Sequence, residues 1–468
     1  MIPITSFKDR HVALFGLGGS GLSTARALVA GGCRVTCWDD SAERVKAAAA
    51  EGLQTADLES ADWSAFSSLV LAPGVPLTHP VPHWTVDKAR EAAIEVIGDV
   101  ELFCRERRHV CPDAPLIAIT GTNGKSTTTA LIAHLLKVLG YDTQMGGNIG
   151  VPVLDLEPPV LSRYYVVECS SYQIDLAPTL DATVGIHMNL SPDHLDRHGS
   201  LENYASIKER LVAGAKLAVV GVDDRLSAVM ADRLELSRKP VVRIAGEREL
   251  PEGVYARQGE LFEAADGAQT PVVSLAGINS LRGDHNGQNA AAAYSALRAL
   301  NIPADHIAEA FKSFPGLHHR MEVVARHGRV LYINDSKATN ADATARALSS
   351  FDRIYWIAGG RAKDGGIRDL EQYFPQVARA YLIGEAAEDF SRVVSNHRVP
   401  FTMCGTIDKA VEAASRDVAT DGAAEIAVLL SPACASFDQF PNFEERGDAF
   451  VRAVRALEDI ERANEEVA

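Results

Sequence analysis

The stretch Gly121-Thr122-Asn123-Gly124-Lys125-Ser126-Thr127 sets a lysine and two hydroxyls directly behind a glycine turn, a residue set suited to phosphate. Glycines let backbone N–H groups face inward, and a helix starting there would point its positive end at an anion. Lys125 can neutralise the outer phosphates of a nucleotide, and the hydroxyl of Ser126 or Thr127 can hold Mg²⁺. The loop is a variant of the P-loop, because Ile119 stands where that pattern has its first glycine. A second glycine turn, Gly16-Leu17-Gly18-Gly19-Ser20-Gly21, fits G-x-G-x-x-G and is followed by the acidic pair Asp39-Asp40. That turn can take NAD or FAD, and equally any nucleoside diphosphate. The later loop Pro73-Gly74-Val75-Pro76 also ends an apolar run.

Other chemistry-bearing residues lie at the ends of apolar runs. Glu168 closes Tyr165-Val166-Val167, where an NTPase places a metal ligand and where an ordinary strand end carries a solvated carboxylate. Gly146-Gly147-Asn148-Ile149-Gly150 allows close backbone approach to a ligand. Asn189–His198 gathers two histidines and two aspartates without any zinc spacing, so His194 is open to a metal or a helix-capping role. Lys208 falls in an amphipathic stretch, Leu201–Leu211, and by itself reads as a solvated lysine. Gly283–Asn289 precedes an alanine-rich helix and offers amides to cap it or to read a nucleobase. His319-Arg320, Asn334–Asn340, Gly359–Lys363 and Ser431–Phe440 complete the set, and Arg and Lys there suit a γ-phosphate.

The elements that must position these groups follow from periodicity. Short apolar runs at His11–Phe15, Arg34–Trp38, Ser68–Ala72, Leu116–Thr120, Tyr165–Glu168, Thr183–His187 and Leu217–Val220 alternate with helical stretches. Val330–Asn334, Ile354–Ala358, Ala380–Ile383 and Ile426–Leu430 continue the alternation, the pattern of parallel α/β sheets. Three blocks are expected, with boundaries at 1–110, 111–315 and 316–468, and the region Gly246–Ser280 has no clear period. At 468 residues the chain exceeds one core. Its net charge of −16 argues against nonspecific nucleic-acid binding, so an anionic ligand needs local Lys, Arg, N–H groups or metal. Seven cysteines form no C-x-x-C pair and read as reduced thiols. With no run near the ~20 apolar residues of a membrane span and no signal peptide at the N-terminus, a cytoplasmic protein is expected.

In order, these motifs resemble the Mur ligase family of ATP-dependent amide-forming enzymes over essentially the whole chain. Gly-Thr-Asn-Gly-Lys-Ser-Thr and His285-Asn286-x-x-Asn289 carry the superfamily likeness. Asn334-Asp335-Ser336-Lys337-Ala338-Thr339-Asn340 and Ser431–Phe440 resemble the glutamate-adding member. The resemblance implies a Rossmann-like first domain, a central P-loop-type ATPase domain and a Rossmann-like third domain. It implies that Gly18, Gly19, Ser20, Asp39, Pro73, Gly74 and Asn148 hold a UDP-sugar substrate. ATP would fall to Gly121, Thr122, Asn123, Gly124, Lys125, Ser126, Thr127, Asn286, Arg320, Asp335 and Lys337. Mg²⁺, at two sites, would fall to Ser126, Glu168, His194 and Lys208, the last as a carbamate. Thr339, Lys363, Ser436 and Phe443 would hold the incoming amino acid. Catalysis would rest on Lys125, Lys208, His194, Arg320 and Lys337.

The activity so implied joins UDP-N-acetylmuramoyl-L-alanine to D-glutamate through an acyl phosphate, by a monomer acting on neither nucleic acid nor membrane, in peptidoglycan precursor synthesis. The sequence departs from the family at Asp364-Gly365-Gly366-Ile367, after Lys363, and at His318 where proline is common. L-glutamate as substrate, a sister amino-acid ligase and a folylpolyglutamate ligase remain alternatives, and an oxidoreductase built on Gly16–Gly21 leaves most motifs unused.

Overall fold

In a computed structural model, residues 1–246, 248–363 and 365–467 are described, with no side-chain description at 279, 284 and 458–467. Asp364, one of the departures noted above, lies outside the described residues. Among the described residues three sheets organise the chain. The first is parallel, in the order Arg34–Trp38, His11–Phe15, Ser68–Leu71, Glu95–Ile97. The second has nine strands, and its central part runs Leu217–Gly221, Val184–His187, Leu116–Thr120, Arg163–Glu168, Asp142–Gly147, all parallel. The third has six, in the order Glu322–His327, Val330–Asn334, Ile426–Leu430, Ile354–Gly359, Val377–Ile383, Phe401–Gly405. Its first pair is antiparallel and the rest parallel.

Strands such as Leu116–Thr120 and Ile354–Gly359 are buried at every residue, which is why they read as unbroken apolar runs rather than alternating ones. The helix Lys125–Val138 lays Leu131, Ile132, Leu135 and Leu136 into the core. All seven cysteines are free, six of them buried.

The structure refines the sequence expectation in three places. Gly246–Ser280 holds an antiparallel extension, Gly253–Arg257, Glu260–Ala265 and Ala268–Ser274, that widens the central sheet. Gly146 and Gly147, of the flexible stretch 146–150, end a strand, Asp142–Gly147. The alanine-rich helix starts at Asp284, so Asn286, Gln288 and Asn289 lie inside it rather than ahead of it. By contact the chain gathers into two compact units, Met1–Ser274 with Asn286–Ser313, and Leu275–His285 with Phe314–Ala468. Within the first unit, the opening block and the central block share one core, in which Ile2, Leu28, Phe103, Leu154, Tyr165 and Ile174 are buried together. Hydrogen bonds from Ile2 N to Leu154 O (2.7 Å) and from Gly98 N to Leu176 O (2.9 Å) join them.

Candidate functional site

The strand Leu116–Thr120 sits between Arg163–Glu168 and Val184–His187, with the strand order reversing on either side of it. Loops leaving the carboxyl ends of neighbouring parallel strands at such a point converge on one crevice. The glycine turn 121–124 leaves the middle strand, Glu168 ends one neighbour, and Asn189 follows the other. Gly124 is the N-cap of the Lys125 helix at φ +82°, and a Cβ there would sit 2.4 Å from Asn289 Oδ1, so only glycine fits. Lys125 Nζ donates to Gly121 O (3.0 Å) and Thr122 O (2.8 Å), which folds the ammonium over the loop.

The loop is held by amides. Asn189 Oδ1 accepts from Asn123 N (2.9 Å), and Asn189 Nδ2 donates to Gln288 Oε1 (2.8 Å). Gln288 Nε2 in turn donates to Asp223 Oδ2 at 2.8 Å. Thr128 Oγ1 donates to Asn289 Oδ1 (3.1 Å), and Asn289 Nδ2 to Asn286 Oδ1 (2.8 Å). Asn286 is thereby tied to the phosphate-loop helix, whereas Asn189, Gln288, Asn289 and Asp223 had no assigned role in the sequence reading. Asn189, just beyond a strand's carboxyl end, and Gln288 and Asn289, in the amide-rich Gly283–Asn289 stretch, carried a signal; Asp223 became visible only through these contacts.

Lys208 is 1 % exposed, not solvated. Its Nζ donates to Gly121 O (2.8 Å) and Thr120 Oγ1 (3.2 Å) and lies 4.6 Å from the centre of the Tyr204 ring. Burial, reinforced by the Lys125 charge, pushes its pKa well below the usual lysine range. Glu168 is 2 % exposed; its Oε1 accepts from Asn148 Nδ2 (2.8 Å), and Oε2 is buried with no partner. That orphaned oxygen and the buried Ser126 hydroxyl are hard donors of the kind Mg²⁺ takes. Among the described residues no three His, Cys, Asp or Glu meet as a complete metal site. His194, at φ +52°, begins the short helix Leu195–His198 without a side-chain capping bond, and its Nε2 lies 3.3 Å from Asp193 Oδ2. His198 is buried, with Nε2 2.8 Å from Ser171 Oγ and a pKa brought down to about 4 by burial and by the His194 and Lys208 charges.

At the first sheet, Gly18 caps the helix Gly19–Ala30, placing Gly19 and Ser20 in its first turn. Asp39 braces this turn: Oδ2 accepts from Leu17 N (2.6 Å) and Oδ1 from Ser41 N (2.8 Å). Pro73 and Gly74 follow the strand Ser68–Leu71, and Gly74 O accepts from Arg197 Nη1.

The second unit gathers another group. Asp335 follows the strand Val330–Asn334; it accepts from Ser431 Oγ (2.9 Å) and Met321 N (3.2 Å). Complete burial raises its pKa to about 7, against the hydrogen bond from Ser431 and the charge of Arg320. Lys337 Nζ lies 4.5 Å from the Phe443 ring centre, and Thr339 N donates to Lys337 O (2.8 Å). Arg446, 1 % exposed, was not singled out by sequence, since a helix arginine is ordinarily solvated. It donates to Ser336 O (2.8 Å), Ser336 Oγ (3.0 Å) and Cys434 O (3.0 Å), pinning the 334–340 loop to the 431–440 turn that holds the buried Ser436. Lys363 is exposed, on a stretch joined to that turn by paired bonds between Arg361 and Ala435.

Residues 119–297 match the Mur ligase middle domain, and residues 319–434 match the Mur ligase glutamate ligase domain. A UDP-N-acetylmuramoylalanine–D-glutamate ligase of Rhizobium meliloti is 62% identical over 460 residues, 98% of this chain and 99% of that protein. One from Chelativorans sp. is 59% identical over 468 residues, covering all of both chains. Among solved structures, a UDP-N-acetylmuramate-alanine ligase of Thermotoga maritima aligns with a TM-score of 0.56 at 16% identity, over 96% of this chain and 99% of that one. With the likeness running the length of the chain, the protein belongs to the Mur ligase family.

Proposed function

We propose that this protein joins the carboxylate of UDP-N-acetylmuramoyl-L-alanine to the amine of D-glutamate, converting ATP to ADP and phosphate. The observation that carries the reading is 62% identity, over nearly all of both chains, to a ligase named for that reaction. The alanyl carboxylate oxygen attacks the γ-phosphorus as the bond to the β–γ bridging oxygen breaks, giving an acyl phosphate and ADP. The glutamate amine then attacks the acyl carbon, and phosphate and a proton leave. Activation is required because a carboxylate is a poor electrophile.

Lys125 and the 121–127 loop take the ATP phosphates, with Asn286, Arg320, Asp335 and Lys337 also assigned to ATP. Gly18, Gly19, Ser20, Asp39, Pro73, Gly74 and Asn148 take the uridine-diphosphate sugar; Thr339, Lys363, Ser436 and Phe443 take the amino acid. Mg²⁺, assigned to two sites, would be held by Ser126, Glu168, His194 and Lys208, and when bound it would offset charge on the transferring phosphoryl group. Lys208 fits its part as a carbamate: a buried amine of lowered pKa adds CO₂ through its lone pair, releases a proton from the nitrogen and becomes an anion. The buried, unpaired Oε2 of Glu168 supports a cation there. Asp39 acts by holding the Gly16–Gly21 turn through Leu17 N. We assign the protein to the cytoplasm, as a monomer.

The test is phosphate release with Mg-ATP and UDP-N-acetylmuramoyl-L-alanine, adding D-glutamate, L-glutamate or meso-diaminopimelate separately. Turnover with D-glutamate alone is expected. Turnover only with another amino acid would change the substrate, and silence with all three would overturn the reading.

A further inference from the structure

The short turn that bears His194 is fastened from two sides within the first unit. On one side Arg197 Nη1 donates to Gly74 O at 3.0 Å, in the loop after the strand Ser68–Leu71. The same guanidinium lies over the Tyr172 ring, 4.6 Å from its centre. Tyr172 belongs to the helix Ser171–Asp175, which starts three residues after Glu168. Its ring also meets His194 at 5.2 Å and stacks on His198 at 5.3 Å and 21°. On the other side the His79 ring, from the same post-strand loop, lies against Gly199: a Cβ on Gly199 would stand 2.7 Å from His79 Nε2. One planar cation thus bonds the loop assigned to the uridine-diphosphate sugar while lying on the ring that carries His194. An arginine does both at once because its donors lie in the plane of a face that can stack.

We propose that Arg197 is a positioning residue that couples the Pro73-Gly74 loop to the His194 turn, so that seating the uridine-diphosphate end of the substrate fixes the groups beside the phosphate loop. The proposal rests on the function proposed above. Arg197 touches no reacting atom in this scheme; it acts through Tyr172 and Gly74.

The experiment measures turnover and backbone hydrogen exchange for the wild type, Arg197→Ala and Arg197→Lys, with UDP-N-acetylmuramoyl-L-alanine as the probe. In the wild type, that substrate without ATP should slow exchange over residues 192–199. Arg197→Ala should still bind it yet lose the slowing. Its kcat should fall on the order of 10-fold, as expected for losing a carbonyl hydrogen bond and a cation–ring contact, with KM for ATP shifted less than about 3-fold. Arg197→Lys should fall between, since lysine can reach a carbonyl but has no plane to lay on Tyr172. Slowing that persists in Arg197→Ala, or that the wild type never shows, overturns the coupling. Wild-type turnover is measured first: its absence fells the underlying reading and the proposal with it, whereas turnover with unchanged exchange fells the proposal alone.

Discussion

Replacing Asp335 by Asn should stabilise the protein, and by an amount that depends on pH in a defined direction. The carboxyl is fully buried, and its pKa stands near 7 against an ordinary 3.8. Folded protein therefore holds this proton up to about pH 7, while the unfolded chain releases it near 4. Between those values the folded state binds more protons, so the stability the group contributes falls as pH rises and is gone above the folded pKa. Each unit of difference is worth about 1.36 kcal/mol, so moving from pH 5 to pH 8 crosses about two units and removes about 3 kcal/mol. Asn keeps the shape, can accept from Met321 N, and has no charge to bury. Urea unfolding of wild type and Asp335→Asn at pH 5, 6, 7 and 8 should show the variant gaining about 3 kcal/mol on the wild type across that range. Because the chain forms two compact units, the transition of the second must be followed separately, for example through Trp356. A difference that stays flat with pH, or a variant that loses ground toward pH 8, would refute the buried-acid argument. ATP-dependent turnover should be lost at every pH, since the same carboxyl is assigned to ATP.

Two further outcomes test the first unit. Gly124→Ala forces an L-residue to φ +82° and pushes Cβ toward Asn289 Oδ1, so KM for ATP should rise about 5- to 30-fold from about 1–2 kcal/mol of strain at the loop; an unchanged KM would show that the loop tolerates a side chain. Lys208→Ala should lose most ligation and recover part of it with formate or acetate in the vacated space, and failure of every small carboxylic acid to restore turnover would count against a carboxylate at that position.

Much of this molecule was legible because its chemistry sits where strands end. Runs such as Leu116–Thr120 and Val330–Asn334 announce themselves by being apolar on both faces, and the glycine turn beside the first is visible without any structure. Lys208 by itself reads as solvated, and the family resemblance alone marks it as a site residue, although Tyr204, Ile207, Lys208 and Leu211 form an i, i+3, i+4, i+7 stripe, and all four are buried. The lysine occupies a core position in that stripe, which polarity alone disguised. The hairpin in the central sheet had its own signal, Asp266-Gly267 at φ +54° and +77° between Glu260–Ala265 and Ala268–Ser274, overlooked because the strands around it are half polar at an exposed edge. Arg446 had none: its burial comes from two loops, about 12 and 110 residues away in sequence, closing over one guanidinium.

The parallel pairing of Arg163–Glu168, Leu116–Thr120 and Val184–His187 has a consequence for how such an enzyme can drift. Neighbouring strands lie about 4.8 Å apart because backbone hydrogen bonds set that spacing, and those bonds are indifferent to side chains. The interval from the glycine turn to Glu168, and from the turn to Asn189, is thus ruled off by main chain alone. Almost every interior residue can be exchanged over evolutionary time without moving the marks on that ruler. A protein sharing only 16% of its residues with this one can therefore retain its fold at a TM-score of 0.56.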